Sequence, residues 1–375
     1  MFSNRLPPHA EINPLTRARS ALETAGVAIA DLTESNPTAV GITYPDDLLG
    51  MLSADHARRY APQPLGLDVA RAAVASDYAR RGAHVDPQQI VLSASSSEAY
   101  SWLFKLLCDP GDAVLVPQPS YPLFEHLTRL ESVESIPYHL VYHGRWEIDF
   151  LSLTAAPANV RAVLLVSPNN PTGSFVTKEE ADRLAEICRA RGWAIVADEV
   201  FADYAIDVKN PRTECVMGLD VLSFTLGGAS KSLGLPQIKL GWMVVGGPEP
   251  ERSRALAALE VIADTFLSVG TPVQGAAPSL LARGGSVRDP IRHRIAGNLA
   301  RARSLSAGYP ACTLLPVEGG WSLVVRVPAY RSEEALTLEL LEREHVLVHP
   351  GYFFDFPHEA YIVVSLLPPP DQFVD

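Results

Sequence analysis

The sequence predicts an α/β protein with a mostly parallel central sheet, and three observations carry that prediction. Short apolar runs recur through the middle of the chain: IVLS at 90–93, VLV at 114–116, AVLLV at 162–166 and AIVA at 194–197. Helical patterns stand between them, and Gly, Pro, Asn and Asp punctuate the junctions. Strands apolar on both faces and alternating with helices belong to parallel sheets covered on both sides.

The elements follow in chain order. Prolines at 7, 8, 14, 37 and 45 bracket one helical run from Pro14 to Gly26. LDVARAAVASDYARR (67–81) has helical spacing and is rich in alanine. QIVLSAS reads as a strand, SSEAYSWLFKLLCD as an amphipathic helix closed by the turn DPGD, and AVLVP and VRAVLLVSP as strands. Thr177 and Glu180 form a capping-box pattern before EEADRLAEICRAR, and Gly192 stands where a C-terminal cap belongs. WAIVADEV, DVLSFTLGG and KLGWMVVGG add three strands. Together these place a large domain at 46–275, preceded by an N-terminal segment, 1–45, expected to pack with a smaller domain.

That smaller α+β domain is expected at 276–375. It opens with the helical RDPIRHRIAGNLARARSLSA and continues into LLPVEGGWSLVVRVP, two strand-like pieces joined at Glu318-Gly319-Gly320. The helix SEEALTLELLEREH and the strands VLVHP and AYIVVSLL complete it.

Composition narrows the function classes. The 375 residues carry 31 Lys+Arg against 43 Asp+Glu, a net charge of −12, with 47% hydrophobic and 20% charged residues. An acidic chain whose arginines form no cluster is not expected to bind nucleic acid or an anionic membrane. No apolar run is long enough for a membrane span, and the first residues do not read as a secretory signal. Cys108, Cys188, Cys215 and Cys312 form no CxxC pair, so neither a disulfide framework nor a zinc site is expected and a reducing cytoplasm fits. Only five of the basic residues are lysine: Lys105, Lys178, Lys209, Lys231 and Lys239. Two of them fall in the apolar stretch SKSLGLPQIKLGW.

Ligands of open α/β sheets bind at loops leaving the carboxyl ends of the strands. The chain has no GxGxxG fingerprint and no Walker loop there. It offers instead SASSSEA (93–99), PQPSYP (117–122), SPNNPTG (167–173), ADEVF (197–201) and GGASKSLGLP (227–236). Singly, each has an ordinary explanation, as a helix cap, a tight turn or a surface charge.

In order and spacing, SPNNPTG, a buried-strand Asp and then SKSLGLPQIKLGW resemble the class I/II aminotransferases, fold-type I enzymes dependent on pyridoxal 5'-phosphate. The resemblance runs from Leu32 to Ser365. It implies that Lys231 forms the internal aldimine and shuttles the proton, while Asp198 keeps the pyridine nitrogen protonated. Asn170 is implied to bond the ring's phenolic oxygen and Tyr121 to face the ring. Ser96, Ser97, Ser230 and Lys239 are implied to hold the phosphate, together with Tyr60 of a partner subunit in a homodimer with shared active sites. Apolar surroundings favour a neutral, nucleophilic lysine, and a helix start favours an anion, so the residue chemistry agrees.

Four departures bear on substrate and mechanism. Phe201 stands where the family has a tyrosine donor, which predicts a raised aldimine pKa. Gly228 replaces a phosphate-binding serine, with Ser230 as the candidate substitute. Ser35 replaces a glycine in the N-terminal motif. The arginine expected for the substrate α-carboxylate falls near Val363, and no lysine or arginine follows Arg343. Arg326, Ser35, Asn36 and His349 are the candidates to replace it, unless the substrate is an amine without that carboxylate.

The expected reaction is transfer of an amino group from an amino acid or amine donor to a keto acceptor. A lyase, decarboxylase or oxidase using the same cofactor is the alternative. A ligand-sensing regulator would need a DNA-binding domain, for which the chain is expected to leave no room.

Overall fold

The computed structural model describes residues 2–7, 12–53, 55–206 and 218–373. Lys209 and Cys215 lie outside them. The chain enters through helix α1 (Pro14–Thr24), capped by Asn13, and the short strand β1 (Ala30–Asp31). Helix α2 (Asp68–Arg80) follows, then β2 (Ile90–Ser93), α3 (Ser96–Leu107), β3 (Ala113–Gln118), α4 (Phe124–Leu130), β4 (Glu134–Tyr142) and β5 (Trp146–Ile148). After α5 (Phe150–Thr154) come β6 (Val160–Val166), α6 (Lys178–Arg191), β7 (Ala194–Asp198), β8 (Ser223–Gly228), α7 (Ala229–Ser232) and β9 (Gly241–Gly246).

Strands β2 to β9 form one sheet in the order β2-β9-β8-β7-β6-β3-β4-β5. The pairs β8·β7, β7·β6, β6·β3 and β3·β4 are parallel, whereas β9 and β5 run against their neighbours. The apolar runs at 114–116, 162–166 and 194–197 form the middle of this sheet, and the run at 90–93, β2, forms one edge. In β6 every residue except Arg161 is buried. Both faces are covered, one by a core containing Trp102, Leu103 and Phe104 of α3, the other by one containing Leu184 and Cys188 of α6. The capping box of α6 closes as its spacing predicts: Thr177 accepts from Glu180 N at 3.2 Å and the Glu180 carboxylate from Thr177 N at 2.9 Å. Gly192 ends the helix at φ 70°, in the left-handed region.

Three long helices, α8 (Glu249–Phe266), α9 (Thr271–Ala282) and α10 (Gly285–Ser306), lead to a second sheet. Its strands are β10 (Thr313–Leu314), β11 (Ser322–Arg326), β13 (His349–Pro350) and β14 (Tyr361–Ser365), in the antiparallel order β10-β11-β14-β13. Helix α11 (Glu333–Glu344) and β12 (Val346–Leu347) stand between β11 and β13. The strand expected through LLPV is shorter than its apolar content suggests. Pairing ends after Leu315 N donates to Val324 O at 3.0 Å, because Pro316 has no N–H to continue it. The N-terminal segment packs on this second unit: β1 pairs in parallel with β12, and Leu15 of α1 shares a small core with Leu341 and Leu347.

Two glycines set how closely the units approach. A Cβ on Gly173 would lie 2.7 Å from Gly319 O, and one on Gly319 would lie 2.9 Å from Tyr204 O. The backbones cross there, with Gly319 N donating to Gly173 O at 2.9 Å. That crossing brings the residues after Gly320 onto the loop SPNNPTG.

Candidate active site

The carboxyl ends of the parallel strands and the inner face of the second sheet enclose a cavity of about 300 Å³. Ten of the residues singled out from the sequence line it: Ser35, Ser96, Ser97, Tyr121, Asn170, Asp198, Phe201, Lys231, His349 and Val363. Lys231 leaves β8 on the short helix α7, and Asp198 ends β7, the neighbouring strand.

The two charged groups titrate in opposite directions. Burial pulls the Lys231 amine down from 10.5 to about 8, against the pull of Asp198 and Glu34. Burial likewise pushes the Asp198 carboxyl up from 3.8 to about 6, although Val200 N, the Tyr100 hydroxyl and Lys231 all favour its ionised form. Desolvation is therefore the dominant cause for both. Val200 N donates to Asp198 Oδ1 at 3.1 Å and Tyr100 to Oδ2 at 3.2 Å, which fixes the carboxylate plane.

Lys231 Nζ faces two aromatic rings, Trp321 at 4.7 Å and Phe201 at 5.2 Å from their centroids. These rings exclude water from the amine, and their faces attract it when protonated. The main chain at Lys231 is held by Tyr204, whose hydroxyl donates to Lys231 O at 2.6 Å.

The loop after β6 is built around Asn169. Its Oδ1 accepts from Ser120 at 2.9 Å, and its Nδ2 donates to Pro119 O at 3.1 Å and Thr172 Oγ1 at 2.9 Å. The next residue, Asn170, faces the cavity and accepts from Ser322 Oγ at 3.1 Å. Across the cavity, Ser95 caps α3 by accepting from Glu98 N at 3.2 Å. The N–H groups of Ser96 and Ser97 remain at the helix start, beside their hydroxyls. The Glu98 side chain turns back to accept from Ala94 N at 2.6 Å, away from that start.

Several other expected site residues do not line the cavity itself. Asn36 is exposed and accepts from Thr38 N at 3.0 Å, outside the cavity lining. Tyr60 is 75% exposed and borders a separate groove with Gln63 and Ser268. Lys239 is exposed in a left-handed conformation at φ 54°, and neither it nor Ser230 lines the cavity. Arg326 is exposed at the far end of β11, so it does not reach the site. His349 does line the cavity, and Val363 is buried beside it.

The structure also supplies residues that the sequence reading did not single out: Tyr100, Trp321, Ser322, Phe353 and Phe354. Tyr100 lies one helical turn beyond Ser96 on α3, a spacing that places both on one face. Trp321 and Ser322 follow the glycine pair 319–320, whose close approach to the loop SPNNPTG exists only in the folded chain.

The sequence model for "Aminotransferase class I and II" matches residues 31–368. The chain belongs to that family. Its aminotransferase relatives include the glutamate-pyruvate aminotransferase AlaA of Escherichia coli K12, 27% identical over 370 residues that cover 96% of this chain and 91% of that one. The alanine aminotransferase of Mycobacterium tuberculosis H37Rv is 25% identical, covering 95% and 85%. Among solved structures, an Escherichia coli aminotransferase superposes with a TM-score of 0.85 at 26% identity, covering 96% of this chain and 92% of that one. The alanine aminotransferase of Pyrococcus furiosus has the same fold, with a TM-score of 0.86 at 21% identity, covering 96% and 94%. The α/β architecture is thus that of the fold-type I aminotransferases. Among the described residues no helix is long and apolar enough to cross a membrane.

Proposed function

We propose that this aminotransferase works with pyridoxal 5'-phosphate held in the cavity between Lys231 and Asp198. The observation that carries the reading is their pairing in one water-poor space, an amine lowered to about 8 and a carboxyl raised to about 6. The donor set fits the cofactor at each end. An anionic phosphate suits the N–H groups and hydroxyls of Ser96 and Ser97. A cationic ring nitrogen suits the fixed Asp198 carboxylate, and Asn170 Nδ2 is available to the ring's phenolic oxygen.

Bound there, pyridoxal phosphate supplies an electron sink for the pair left on a substrate carbon that has lost its proton. Asp198 holds a proton on the ring nitrogen, its carboxylate plane set by Tyr100 and Val200. Lys231, partly neutral near pH 8, would accept at Nζ the proton of the reacting carbon. Tyr121 orients the ring by its face, and Trp321 and Phe201 keep water from the amine. Ser230 and Lys239, on the connection that follows β8, are proposed to complete the phosphate environment.

Tyr60, exposed in one protomer, supports a homodimer in which it reaches the partner's phosphate. We place the enzyme in the cytoplasm and divide it into the N-terminal segment 1–45, a large domain at 46–275 and a small domain at 276–375. Borohydride reduction of the cofactor-loaded protein, followed by peptide mapping, tests the core of the reading. The label is expected on Lys231, and a label on another lysine overturns it.

A further inference from the structure

The substrate end of the cavity contains almost no positive charge. Among the described residues that line it, Lys231 is the only lysine and there is no arginine. Lys231 is committed to the reacting centre. Two acids bias the surroundings further: Glu34 acts on Lys231, and Asp31 on His349.

The wall facing this end is apolar. Val363 of β14 is 2% exposed and lies opposite His349 of β13 and Val324 of β11 in the sheet register. Beyond them the turn Gly351–Phe354 sets Phe353 and Phe354 against the His349 ring, each with centroids 5.7 Å apart. His349 Nδ1 is buried and bonded to no other described group. Burial also holds the imidazole below 6.5, so near neutral pH it presents a dipole and not a charge. A carboxylate placed here would lose its hydration and gain no ionic partner.

We infer that the site prefers a primary amine whose reacting carbon bears no carboxylate, carried on an apolar chain with a neutral polar group such as a hydroxyl facing His349. This deepens the aminotransferase reading above and rests on it. The transfer balances without an oxidant. The amine gives its nitrogen and the carbon-bound hydrogen to a keto acceptor, receives the carbonyl oxygen in exchange, and leaves as the ketone or aldehyde.

Two ligands that differ only in the carboxylate test this: the reduced phosphopyridoxyl conjugates of L-alanine and of ethylamine. Each is titrated calorimetrically into the cofactor-free full chain, so the readout is affinity and not turnover. The ethylamine conjugate should bind more tightly than the alanine conjugate. Equal or tighter binding of the alanine conjugate overturns the inference but leaves the cofactor reading intact. Failure of both conjugates to bind overturns the cofactor reading as well. Val363→Arg supplies the missing charge, and it should shift the ratio toward the alanine conjugate by at least tenfold while the ethylamine conjugate still binds. An unchanged ratio in a variant that binds ethylamine conjugate normally would show that this wall does not set the preference.

Discussion

The hydroxyl of Tyr100 donates to Asp198 Oδ2 at 3.2 Å, from the helix whose first residues, Ser96 and Ser97, line the same cavity. Tyr100 is buried at 3% exposure, and its own ionisation is pushed well up by that burial and by Asp198. It therefore remains a donor throughout the working pH range. Removing it should leave Asp198 harder to ionise. Hydrogen bonds to charged groups are worth about 1.5–3 kcal/mol, and about 1.4 kcal/mol moves a titration by one pH unit. In Tyr100→Phe, the acid-side midpoint for cofactor binding should rise from near 6 by about one pH unit. A fluorescence titration of cofactor affinity against pH measures this, and an unmoved midpoint refutes it.

Lys231 bears on stability as well as chemistry. Its folded pKa of about 8 lies below the ordinary 10.5, so the folded state holds the charged form less well than the unfolded state. The penalty is full below about pH 8 and is relieved as pH rises toward 10.5. The fall corresponds to about 3 kcal/mol. Lys231→Met should accordingly raise the melting temperature of the cofactor-free protein at pH 7, with a smaller gain at pH 10, while abolishing transamination. Calorimetry at the two pH values decides it, and equal or lower stability at pH 7 counts against the desolvation account.

Phe201 packs edge-on against Trp321 with centroids 5.2 Å apart and faces Lys231 Nζ. A tyrosine there would add a donor for the cofactor's phenolic oxygen and compete for the proton shared with the Lys231 linkage. Phe201→Tyr should titrate at lower pH than wild type in the visible absorbance of the loaded enzyme. Identical midpoints would rule this out.

The crossing of Gly173 and Gly319 makes a structural prediction. In Gly319→Ala the new Cβ would meet Tyr204 O, a backbone atom, at 2.9 Å and Phe175 Cε2 at 2.7 Å. Overpacking of this kind costs about 1–3 kcal/mol. The shift would also move Trp321 and Ser322 in the cavity, so both the melting temperature and the affinity for the cofactor should fall. A variant with wild-type values of both would show that the crossing has slack.

Much of the site is legible in the sequence because its residues end strands or open helices. Asp198 follows AIVA, Asn170 sits in a turn-rich run after AVLLV, and Ser96 begins a helix, so local pattern alone places each at the ligand edge of the sheet. Trp321, Ser322, Phe353 and Phe354 come from the second sheet, and no local signal says which loop that sheet will face. The strands β4 and β5 also escape the pattern. β4 pairs with β5 only over Leu140–Tyr142 and buries just Tyr138 and Leu140 fully, which leaves too little apolar periodicity to read. Helix α8 buries only Ala255, Leu259 and Ala263, a stripe too thin to stand out.

The reversed direction of β9 decides how firmly Lys231 is held. Because β9 runs back, the connection from Ala229 to Leu240 begins and ends at one edge of the sheet. Both ends are tied, by Ala229 N to Leu240 O at 2.9 Å and Leu235 N to Ala229 O at 3.1 Å. Tyr44 and Tyr204 fasten its middle, donating to Gly234 O and Lys231 O at 2.6 Å each. The floor carrying Lys231 is thus a loop pinned at both ends and at its middle, a stiff anchorage that leaves the amine little freedom to wander from Asp198 on the neighbouring strand.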